Sequence, residues 1–520
     1  MNGRLVGGLM VCGTTSDAGK STLVAGLCRW LARRGVAVAP FKAQNMSLNS
    51  AVTVDGGEIG RAQALQAWAA GVEPEVAMNP VLLKPTGERT CQVVVAGRPW
   101  RVCEATAYHE TKPQLLPAVV DAYRSLRERF DVVLCEGAGS PAEINLFDRD
   151  IVNLRLAEVI GVPALLVGDI NLGGVFASLV GTVELLPPRW RELVRGFVIN
   201  KLRGDPDLLR DGATLLEART GVPVVGVLPW IEHTWLDAED SMALERPMPA
   251  PRPASADELD VAVVRLPRIS NATDLDALRL EAGVRLRWVH DAAGLGDPDL
   301  VILPGSKATV ADLLWLRERG LDAAIPRLDA TVIGICAGYQ MLGDDLDDRV
   351  ESGAGTVAGL GLLPVRTVFD SEKVTRVCRG TAWVGGVGTS PTDESGRYDG
   401  AGLPVHGYQI HHGRVRPEGG EPFVVLDEPA GERLDGVGVG AVFGTTVHGL
   451  FDGDVFRRRF LELVAARRGK RWVSDGVSFA EQRAAAIDRV ADTIEQHLDL
   501  AFVESLIRAA APLGVPGGIR

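Results

Sequence analysis

The chain has 520 residues, of which 46% are hydrophobic and 23% charged, and its formal net charge is −12. It is long enough for two or three globular domains, and its acidic balance argues against a nucleic-acid partner, which needs clustered Lys and Arg. The seven cysteines are scattered without a C-x-x-C pair, which indicates a reducing compartment. No apolar run reaches membrane-spanning length, so we expect a cytoplasmic protein with no membrane partner.

The first half of the chain alternates short apolar runs with helical stretches. The apolar runs predict buried strands, and they cover residues 4–12, 36–42, 131–139, 162–169 and 196–201. The first helix is predicted over 20–34, closed by Gly35. This alternation predicts an α/β fold with a doubly wound, mostly parallel sheet and ligands at the carboxyl ends of its strands.

The second half contains a further α/β series behind a linker. Residues 245–260 are rich in Pro, Ala and Ser with no hydrophobic period. Alternating strands follow as far as "VHGLF", with a polar, Gly-rich loop at 385–403, and the chain becomes helical from about 455. We therefore expect a first domain at 1–245, a linker at 246–258, a second domain at 259–455 and a helical segment at 456–520 that packs on the second domain.

The stretch "GTTSDAGKST" (13–22) lies between the first predicted strand and helix. A glycine-rich turn there exposes backbone N–H groups at the positive end of a helix, which suits the phosphates of ATP. The residues expected at the nucleotide are Gly13, Thr14, Gly19, Lys20, Ser21 and Thr22. Lys20 would reach the terminal phosphates, and the Ser21 or Thr22 hydroxyl would bind Mg²⁺. Gly19 follows Gly13 by six positions rather than five, a spacing that favours the dethiobiotin-synthetase-like group, whose members phosphorylate a carboxylate.

Two acidic residues are candidates for the same metal ion. Glu136 ends the predicted strand "DVVLCEG", where a second-strand acid would meet Mg²⁺; the alternative is a solvated strand end. Asp55, in the loop "TVDGGEIG", is a weaker candidate. The predicted metal ligands are thus Ser21, Glu136 and Asp55.

"TVIGICAGYQML" predicts a nucleophile elbow at Cys336. A sharp strand-to-helix turn needs small neighbours, and the helix N-terminus lowers the pKa of a thiol placed there. Backbone N–H groups of Gly305 and Ser306, in "VILPGSKAT", and of Ala337 would form the oxyanion hole. The other interpretation of Cys336 is a buried core thiol.

The general base should be a histidine. His448 ends a predicted strand in "FGTTVHGLF" and precedes a glycine, so it can lean over the nucleophile. His411 and His412 in "HGYQIHHG" are rivals for which we favour a structural or substrate-side role.

With both sites laid out, the chain resembles the cobyric acid synthase family, the glutamine-dependent amidotransferases of cobalamin biosynthesis. The resemblance covers nearly the whole length and rests on "VAPFKAQNMSLNSAVTVDGGEIGRAQ", "EGAGSPAEINLFDRDIVN", "LPRISNATDLD", "LPGSKAT", "GICAGYQMLG" and "VHGLFD". It implies a dethiobiotin-synthetase-like P-loop domain followed by a class I (triad-type) glutamine amidotransferase domain.

The resemblance also implies the reaction. ATP with Mg²⁺ would phosphorylate a carboxylate of adenosylcobyrinic acid a,c-diamide, and ammonia released from L-glutamine through a Cys thioester would displace the phosphate. Amidation of the b, d, e and g side chains would give adenosylcobyric acid. By position, Lys42, Gln44 and Asn45 would contact the activated carboxylate.

The sequence departs from the family pattern at several positions. Cys12 stands where Gln is frequent, Asn171 and Leu172 where Asp-Arg is usual, and Ala337 where Gly is common. Two residues after His448 lies Leu450, not the Glu of the wider glutaminase superfamily. We therefore expect a Cys–His dyad, in which a backbone carbonyl or a polar side chain from elsewhere orients the imidazole and single acids such as Asp452 and Asp454 are dispensable.

Alternative functions stay open at this point. Cobyrinic acid a,c-diamide synthase would share both domains, but "QNMSLNS" argues against it. A P-loop switch ATPase with an inactive glutaminase-like domain belongs to another class. Such ATPases usually carry a second lysine early in the loop, where this chain has Gly13, Thr14 and Thr15.

Overall fold

A computed structural model of the chain describes residues 4–87, 89–231, 257–384 and 402–510. The chain divides into two compact units. The first unit comprises Met1–Ser47, Gly57–Glu239 and Arg483–Arg520, and the second comprises Leu48–Gly56 and Asp240–Gln482. The chain therefore leaves the first unit twice and returns to it twice.

The strands of the first half are short and mostly buried. They are β1 (Gly7–Gly13), β2 (Val38–Phe41), β3 (Gln44–Met46), β4 (Ser50–Val52), β5 (Glu58–Gly60), β6 (Val81–Pro85), β7 (Thr90–Val95), β8 (Arg98–Glu104), β9 (Val132–Glu136), β10 (Ala164–Asp169), β11 (Val194–Leu202) and β12 (Val224–Pro229). The helices are α1 (Lys20–Arg33), α2 (Arg61–Ala70), α3 (Ala105–Arg129), α4 (Leu154–Ile160), α5 (Val175–Leu185), α6 (Pro188–Arg191) and α7 (Arg210–Thr220). Of these elements, only β4 belongs to the second unit.

The main sheet of the first unit has the strand order β12-β11-β10-β1-β9-β2, and every pairing in it is parallel. Its central strands are apolar on both faces because helices cover both, as a parallel sheet requires. The predicted doubly wound parallel sheet is confirmed. A second sheet of this unit, in the order β3-β6-β7-β8, begins with the strand that contains Gln44 and Asn45.

The second unit is built on one large sheet. Its remaining strands are β13 (Leu259–Val264), β14 (Val284–Val289), β15 (Leu300–Leu303), β16 (Thr331–Ile335), β17 (Asp345–Asp348), β18 (Gly355–Ala358), β19 (Val365–Ala382), β20 (Leu403–Pro417), β21 (Glu421–Glu428), β22 (Gly431–Val439) and β23 (Val442–Thr445). Its helices are α8 (Asp276–Leu280), α9 (Thr309–Glu318), α10 (Leu321–Ala324), α11 (Ala337–Leu342) and α12 (Asp454–Arg467). Two more helices follow in the described residues, α13 (Phe479–His497) and α14 (Leu500–Arg508).

This sheet combines a parallel part with an antiparallel part. The strand order is β14-β13-β15-β16-β23-β22-β21-β19-β17-β18, and β20 pairs with β19. The run from β14 to β23 is parallel, whereas β23, β22, β21 and β19 pair antiparallel. The carboxyl ends of β15, β16 and β23 lead directly into the residues expected to carry out glutamine hydrolysis.

Short 3₁₀ helices connect several of these elements. They are Val76–Met78, Ile144–Arg149, Pro206–Leu209, Ala272–Leu275, Ile325–Arg327 and Leu450–Asp452. Within the described ranges, no helix is both long and apolar enough to cross a membrane.

The placement expected for the C-terminal helices is wrong beyond α12. Residues from Arg483 onward belong to the first unit, where Asp488 accepts a hydrogen bond of 2.6 Å from Arg29 of α1. A Cβ on Gly26 of α1 would lie 2.3 Å from Ile494, so the two helices pack closely. The helical period of α13 predicted a buried face, but a period does not tell which partner covers that face.

The expected domain boundaries need a second correction. Leu48–Gly56 lies inside the sequence of the predicted first domain but belongs to the second unit. The predicted linker, 246–258, lies outside the described residues apart from its last two positions, and most of the predicted loop at 385–403 also lies outside them.

Candidate functional site

The predicted phosphate loop lies at the carboxyl end of β1. The loop starts at Gly13, the last residue of β1, and Gly19 directly precedes α1. The Lys20 ammonium is buried and donates hydrogen bonds of 2.8 Å to the carbonyl oxygens of Thr15 and Ser16. The backbone N–H of Thr14 donates to Val167 at 2.9 Å, which commits that amide to the sheet. The Lys20 side chain thus folds back into the loop, where phosphate oxygens could replace the two carbonyl oxygens as hydrogen-bond acceptors.

The carboxylate of Glu136 is the centre of a buried polar cluster. One of its oxygens accepts hydrogen bonds of 2.8 Å from the Ser21 hydroxyl and from the Lys42 ammonium. The other accepts one of 2.5 Å from the Gln66 amide. The structure therefore brings together Ser21, Glu136 and Lys42, three residues predicted from the sequence. Gln66 was missed; it lies three residues beyond the end of "VAPFKAQNMSLNSAVTVDGGEIGRAQ".

The oxygen atoms of Ser21 and Glu136 are the kind of donors that Mg²⁺ prefers, and Thr22 follows Ser21 on α1. No group of three or more His, Cys, Asp and Glu suited to a metal occurs in the described part of the chain. Mg²⁺ in ATP sites usually takes one or two protein ligands and completes its shell with phosphates and water. Asp55 belongs to the second unit, where it accepts a hydrogen bond from Thr53, so its metal role stays a prediction.

The residues that the resemblance assigns to the substrate carboxylate are buried in the first unit. Lys42 follows β2. Gln44 accepts a hydrogen bond of 2.6 Å from the Tyr108 hydroxyl, and the Asn45 amide donates one of 3.0 Å to Gln63. These bonds hold the side chains in fixed orientations.

Two of the departures from the family pattern lie in different surroundings. Burial raises the pKa of the Cys12 thiol, so this residue at the end of β1 is a neutral thiol. The Asn171 side chain accepts a hydrogen bond of 3.1 Å from Arg203, whereas Leu172 is exposed.

Cys336 has the backbone of a nucleophile elbow. It stands between β16 and α11 with a φ of 52°, in the left-handed region that a residue with a side chain adopts only under strain, at a cost of about 1–3 kcal/mol. A Cβ on Gly338 would lie 1.9 Å from the carbonyl oxygen of Leu303 in β15. The elbow therefore needs glycine at 338, because the helix touches the neighbouring strand.

The expected oxyanion-hole residues flank this elbow. Ala337 is the first residue of α11, so its N–H has no acceptor within the helix. A Cβ on Gly305 would lie 2.9 Å from the His448 ring, so this glycine contacts the base. The Ser306 hydroxyl donates a hydrogen bond of 2.6 Å to Asp312 and shapes the same turn. Which N–H groups bind an oxyanion stays a prediction.

His448 is fully buried and is held on several sides. Its Nδ1 lies 2.7 Å from an Asp274 carboxylate oxygen, and the other oxygen accepts the Gly449 N–H at 2.8 Å. Its ring stacks on Tyr408 with the centroids 5.4 Å apart. This arrangement fixes both the position of the imidazole and the proton on Nδ1.

The expected Cys–His dyad therefore needs a correction: a polar side chain from elsewhere orients the imidazole, as expected, but that side chain is a carboxylate. The carboxylate at His448 is neither Asp452 nor Asp454 but Asp274, 174 positions upstream in the 3₁₀ helix Ala272–Leu275. Asp274 lies in the motif "LPRISNATDLD", which supports the family resemblance but for which no catalytic role was predicted. The superfamily pattern points to the region after the histidine, and nothing in the sequence indicates that an earlier loop supplies the acid.

The charges around His448 favour its protonated form. Burial alone would lower the pKa of its imidazole, but Asp274 and then Cys336 outweigh burial and raise the pKa to about 10. The rival His411 behaves differently, because desolvation lowers the pKa of His411 to about 4 while its Nδ1 contacts the Gly413 carbonyl. His412 contacts the carbonyl of Asp370. Of these three histidines, His448 alone is hydrogen-bonded to a carboxylate, the partner that a general base needs.

Comparison with known proteins identifies the family. Residues 9–243 match the CobQ/CobB/MinD/ParA nucleotide binding domain, and residues 260–456 match the CobB/CobQ-like glutamine amidotransferase domain. A cobyric acid synthase of Nocardia farcinica is 51% identical over 98% of this chain and 98% of its own length. One of Rhodococcus jostii is also 51% identical, over 99% of this chain and 98% of its own. The chain belongs to the cobyric acid synthase family.

Family membership makes the chain a glutamine-hydrolysing ligase that carries out amidation in cobalamin biosynthesis. Its nucleotide-binding domain precedes its glutamine amidotransferase domain, as predicted.

Proposed function

We propose that the chain converts adenosylcobyrinic acid a,c-diamide into adenosylcobyric acid by amidating the b, d, e and g carboxylates with ATP and L-glutamine. The observation that carries this proposal is the strained Cys336 elbow with an imidazole held by Asp274, in a chain that also contains a phosphate loop. Glutamine hydrolysis and carboxylate activation are separate chemistries, and each has a suitable set of side chains.

In the first unit, a carboxylate oxygen of the corrinoid attacks the terminal phosphorus of ATP. The products are an acyl phosphate and ADP, and Lys20 neutralises the charge that develops on the phosphates. Mg²⁺ held by Ser21 and Glu136 would add positive charge at the same place. Lys42, Gln44 and Asn45 orient the carboxylate. Ammonia then attacks the acyl carbon, and phosphate leaves.

In the second unit, the Cys336 thiol gives its proton to His448 and its sulfur attacks the amide carbon of glutamine. The oxygen of the tetrahedral intermediate accepts hydrogen bonds from N–H groups of Gly305, Ser306 and Ala337. His448 returns the proton to the leaving nitrogen, so ammonia departs and a thioester remains. Water, deprotonated by His448, hydrolyses the thioester to glutamate.

Mass spectrometry of the diamide incubated with the chain, ATP, Mg²⁺ and glutamine tests this proposal. We expect four successive replacements of OH by NH₂, which stop when ATP is omitted. Cobyrinic acid, which carries no amides, serves as the second substrate in a parallel incubation. Amidation of cobyrinic acid at a and c, without amidation of the diamide, would identify the diamide synthase reaction. ATP hydrolysis without any amide product would support the switch ATPase instead.

A further inference from the structure

The segment Leu48–Gly56, here called the 48–56 segment, belongs to the second unit although the residues on both sides of it belong to the first. It contains β4 and begins three residues after Asn45. The glutamine amidotransferase unit thus includes residues from within the sequence of the ATP-binding half. The contacts of this segment indicate what it does there.

Two residues of the 48–56 segment hold the turn that precedes Asp274. The Asn49 side-chain oxygen accepts a hydrogen bond of 3.1 Å from the backbone N–H of Ala272. The backbone N–H of Ser50 donates one of 2.9 Å to the side-chain oxygen of Asn271. Asn271 itself is buried and has a φ of 53°, a left-handed conformation that Asn tolerates better than most residues.

The bond from Ser50 fixes which way the Asn271 amide points. A backbone N–H can only donate, so the Asn271 atom that receives it must be the oxygen. The NH₂ group of Asn271 is then the atom that lies 3.2 Å from Nε2 of His448. The other ring nitrogen, Nδ1, carries its proton toward Asp274.

Asn271 and Asp274 therefore act on the imidazole in opposite directions. In the neutral ring, the lone pair of Nε2 accepts the Asn271 amide proton, and this same lone pair must receive the proton of Cys336. Once Nε2 is protonated, its N–H faces the NH₂ group, and two donors oppose each other. Asp274 favours the imidazolium, whereas Asn271 favours the neutral ring.

The 48–56 segment also contacts the other side of the catalytic pair. Val52 packs with Tyr408 and Ile410 in a small buried cluster. Tyr408 stacks on the His448 ring, and the Ile410 carbonyl lies 3.9 Å from the Cys336 sulfur. A shift of this segment would change the surroundings of both catalytic side chains.

We propose that Asn271 is a positioning residue that restrains His448, and that the 48–56 segment holds Asn271 in the restraining position. This inference rests on the proposed glutaminase role of Cys336 and His448. Release of the Ser50 bond frees the Asn271 amide to turn, and Nε2 becomes available to Cys336.

The test compares glutamate release by the full chain without ATP or corrinoid. Asn271→Gly is the best variant, because glycine adopts the left-handed backbone without strain and lacks the amide. We expect basal hydrolysis to rise about three- to tenfold, the range that corresponds to the loss of one hydrogen bond. Ser50→Pro removes the N–H donor together with the Ser50 hydroxyl, at the first residue of a strand where proline is tolerated, and should act in the same direction. Val54→Ala changes an exposed side chain of the same segment and is the matched control.

A second measurement separates restraint from mere structural support. The rate at which iodoacetamide alkylates Cys336, followed by peptide mass spectrometry, reports the thiolate fraction. It should rise in Asn271→Gly and Ser50→Pro but not in Val54→Ala. The inference is overturned if both variants hydrolyse glutamine at the wild-type rate or more slowly while their ammonia-driven amidation stays at the wild-type level. If Cys336→Ala retained glutamate release in the same assay, the proposed function would have failed instead.

Discussion

At the scale of single residues, the ring of His448 is bound on two sides by side chains from one short turn. Asp274 contacts Nδ1 and Asn271 contacts Nε2, with the two residues separated by only Ala272 and Thr273. In the proposed mechanism, the chemistry of Cys336 depends on this turn, because the imidazole would accept the thiol proton in the orientation that Asp274 imposes.

Asp274→Asn should lower the kcat of glutamine hydrolysis by a factor on the order of 10³–10⁴, as in triads whose aspartate is replaced by asparagine. An asparagine can donate to Nδ1, so it stabilises the tautomer in which Nε2 carries the proton and cannot accept another. The measurement is glutamate release at saturating glutamine, with ammonia-driven amidation as the test of folding. Asp452→Asn is the matched control and should retain nearly full activity. A loss in Asp452→Asn as large as that in Asp274→Asn would contradict the assignment.

The raised pKa of His448 predicts a pH-dependent contribution to stability. Its pKa is about 10 in the folded chain against an ordinary value of 6.5, so protonation of the ring stabilises the fold. This contribution is fully present below the ordinary pKa and is lost as the pH rises through the folded pKa. In urea unfolding, the free-energy difference between wild type and Asp274→Asn should therefore shrink as the pH is raised from 6.5 to about 10. In a His448→Gln background, the effect of Asp274→Asn on the free energy of unfolding should not depend on pH in this way. If the free-energy difference between wild type and Asp274→Asn grew with pH, the account would be contradicted.

Three of the site residues predicted from the sequence share one property: each ends or follows a predicted strand. Glu136 ends β9, Cys336 follows β16, and His448 lies just beyond β23. Ligands and nucleophiles collect at such strand ends in α/β folds. Asp274 and Asn271 lie in a loop turn that no hydrophobic period marks, and their partner is far away in sequence. Only the folded chain brings them to the histidine.

At the scale of elements, the elbow depends on the close approach of α11 to β15. The helix begins immediately after Cys336, and Gly338 faces the carbonyl of Leu303. The sequence predicted this turn correctly from its small residues, since a strand that reverses into a helix leaves no room for larger ones. Five strands of the main sheet of the first unit were also predicted, with ends that differ by a few residues: β1 begins at Gly7 instead of residue 4. The sixth strand of that sheet, β12, and the whole sheet β3-β6-β7-β8 were not predicted.

Gly338→Ala should destabilise the second unit by about 1–3 kcal/mol and reduce glutamine hydrolysis. The new methyl group would overlap the Leu303 carbonyl, and backbone atoms of a central strand cannot move away cheaply. Urea unfolding measures the free energy, and glutamate release measures the function. At Gly294, an added Cβ would meet its nearest atom at 3.5 Å, so Gly294→Ala should be close to neutral. Equal stability of the two variants would show that the elbow does not depend on this contact.

At the scale of the whole molecule, the chain passes between two units and returns. The C-terminal helices cover α1 and β1 of the first unit, where a Cβ on Gly7 would overlap the Ile507 carbonyl. Sequence periodicity revealed that α13 has an apolar face, but the partner of that face is a matter of tertiary structure. The same limit explains why the 48–56 segment was assigned to the wrong domain.

Ile494→Ala should destabilise the ATP-binding unit by about 2–5 kcal/mol, because it removes a buried side chain that packs on α1. Thermal unfolding with and without ATP identifies the transition of this unit, since a bound ligand raises its midpoint. Glu495→Ala, on the exposed side of the same helix, is the control. If Ile494→Ala lowered the midpoint of the transition that ATP does not shift, the placement of α13 would be contradicted.

The central claim is that glutamine hydrolysis at Cys336 supplies the ammonia used at the ATP-dependent site. Comparing amidation with glutamine and amidation with ammonia tests this claim most directly. Amide formation on the diamide is measured for Cys336→Ser with glutamine and with ammonium salts, beside Lys20→Ala as the complementary variant. The account predicts that Cys336→Ser loses glutamine-driven amidation and keeps ammonia-driven amidation, whereas Lys20→Ala loses both because each requires the acyl phosphate. Glutamine-driven amidation that survives in Cys336→Ser, or ammonia-driven amidation that survives in Lys20→Ala, would contradict it.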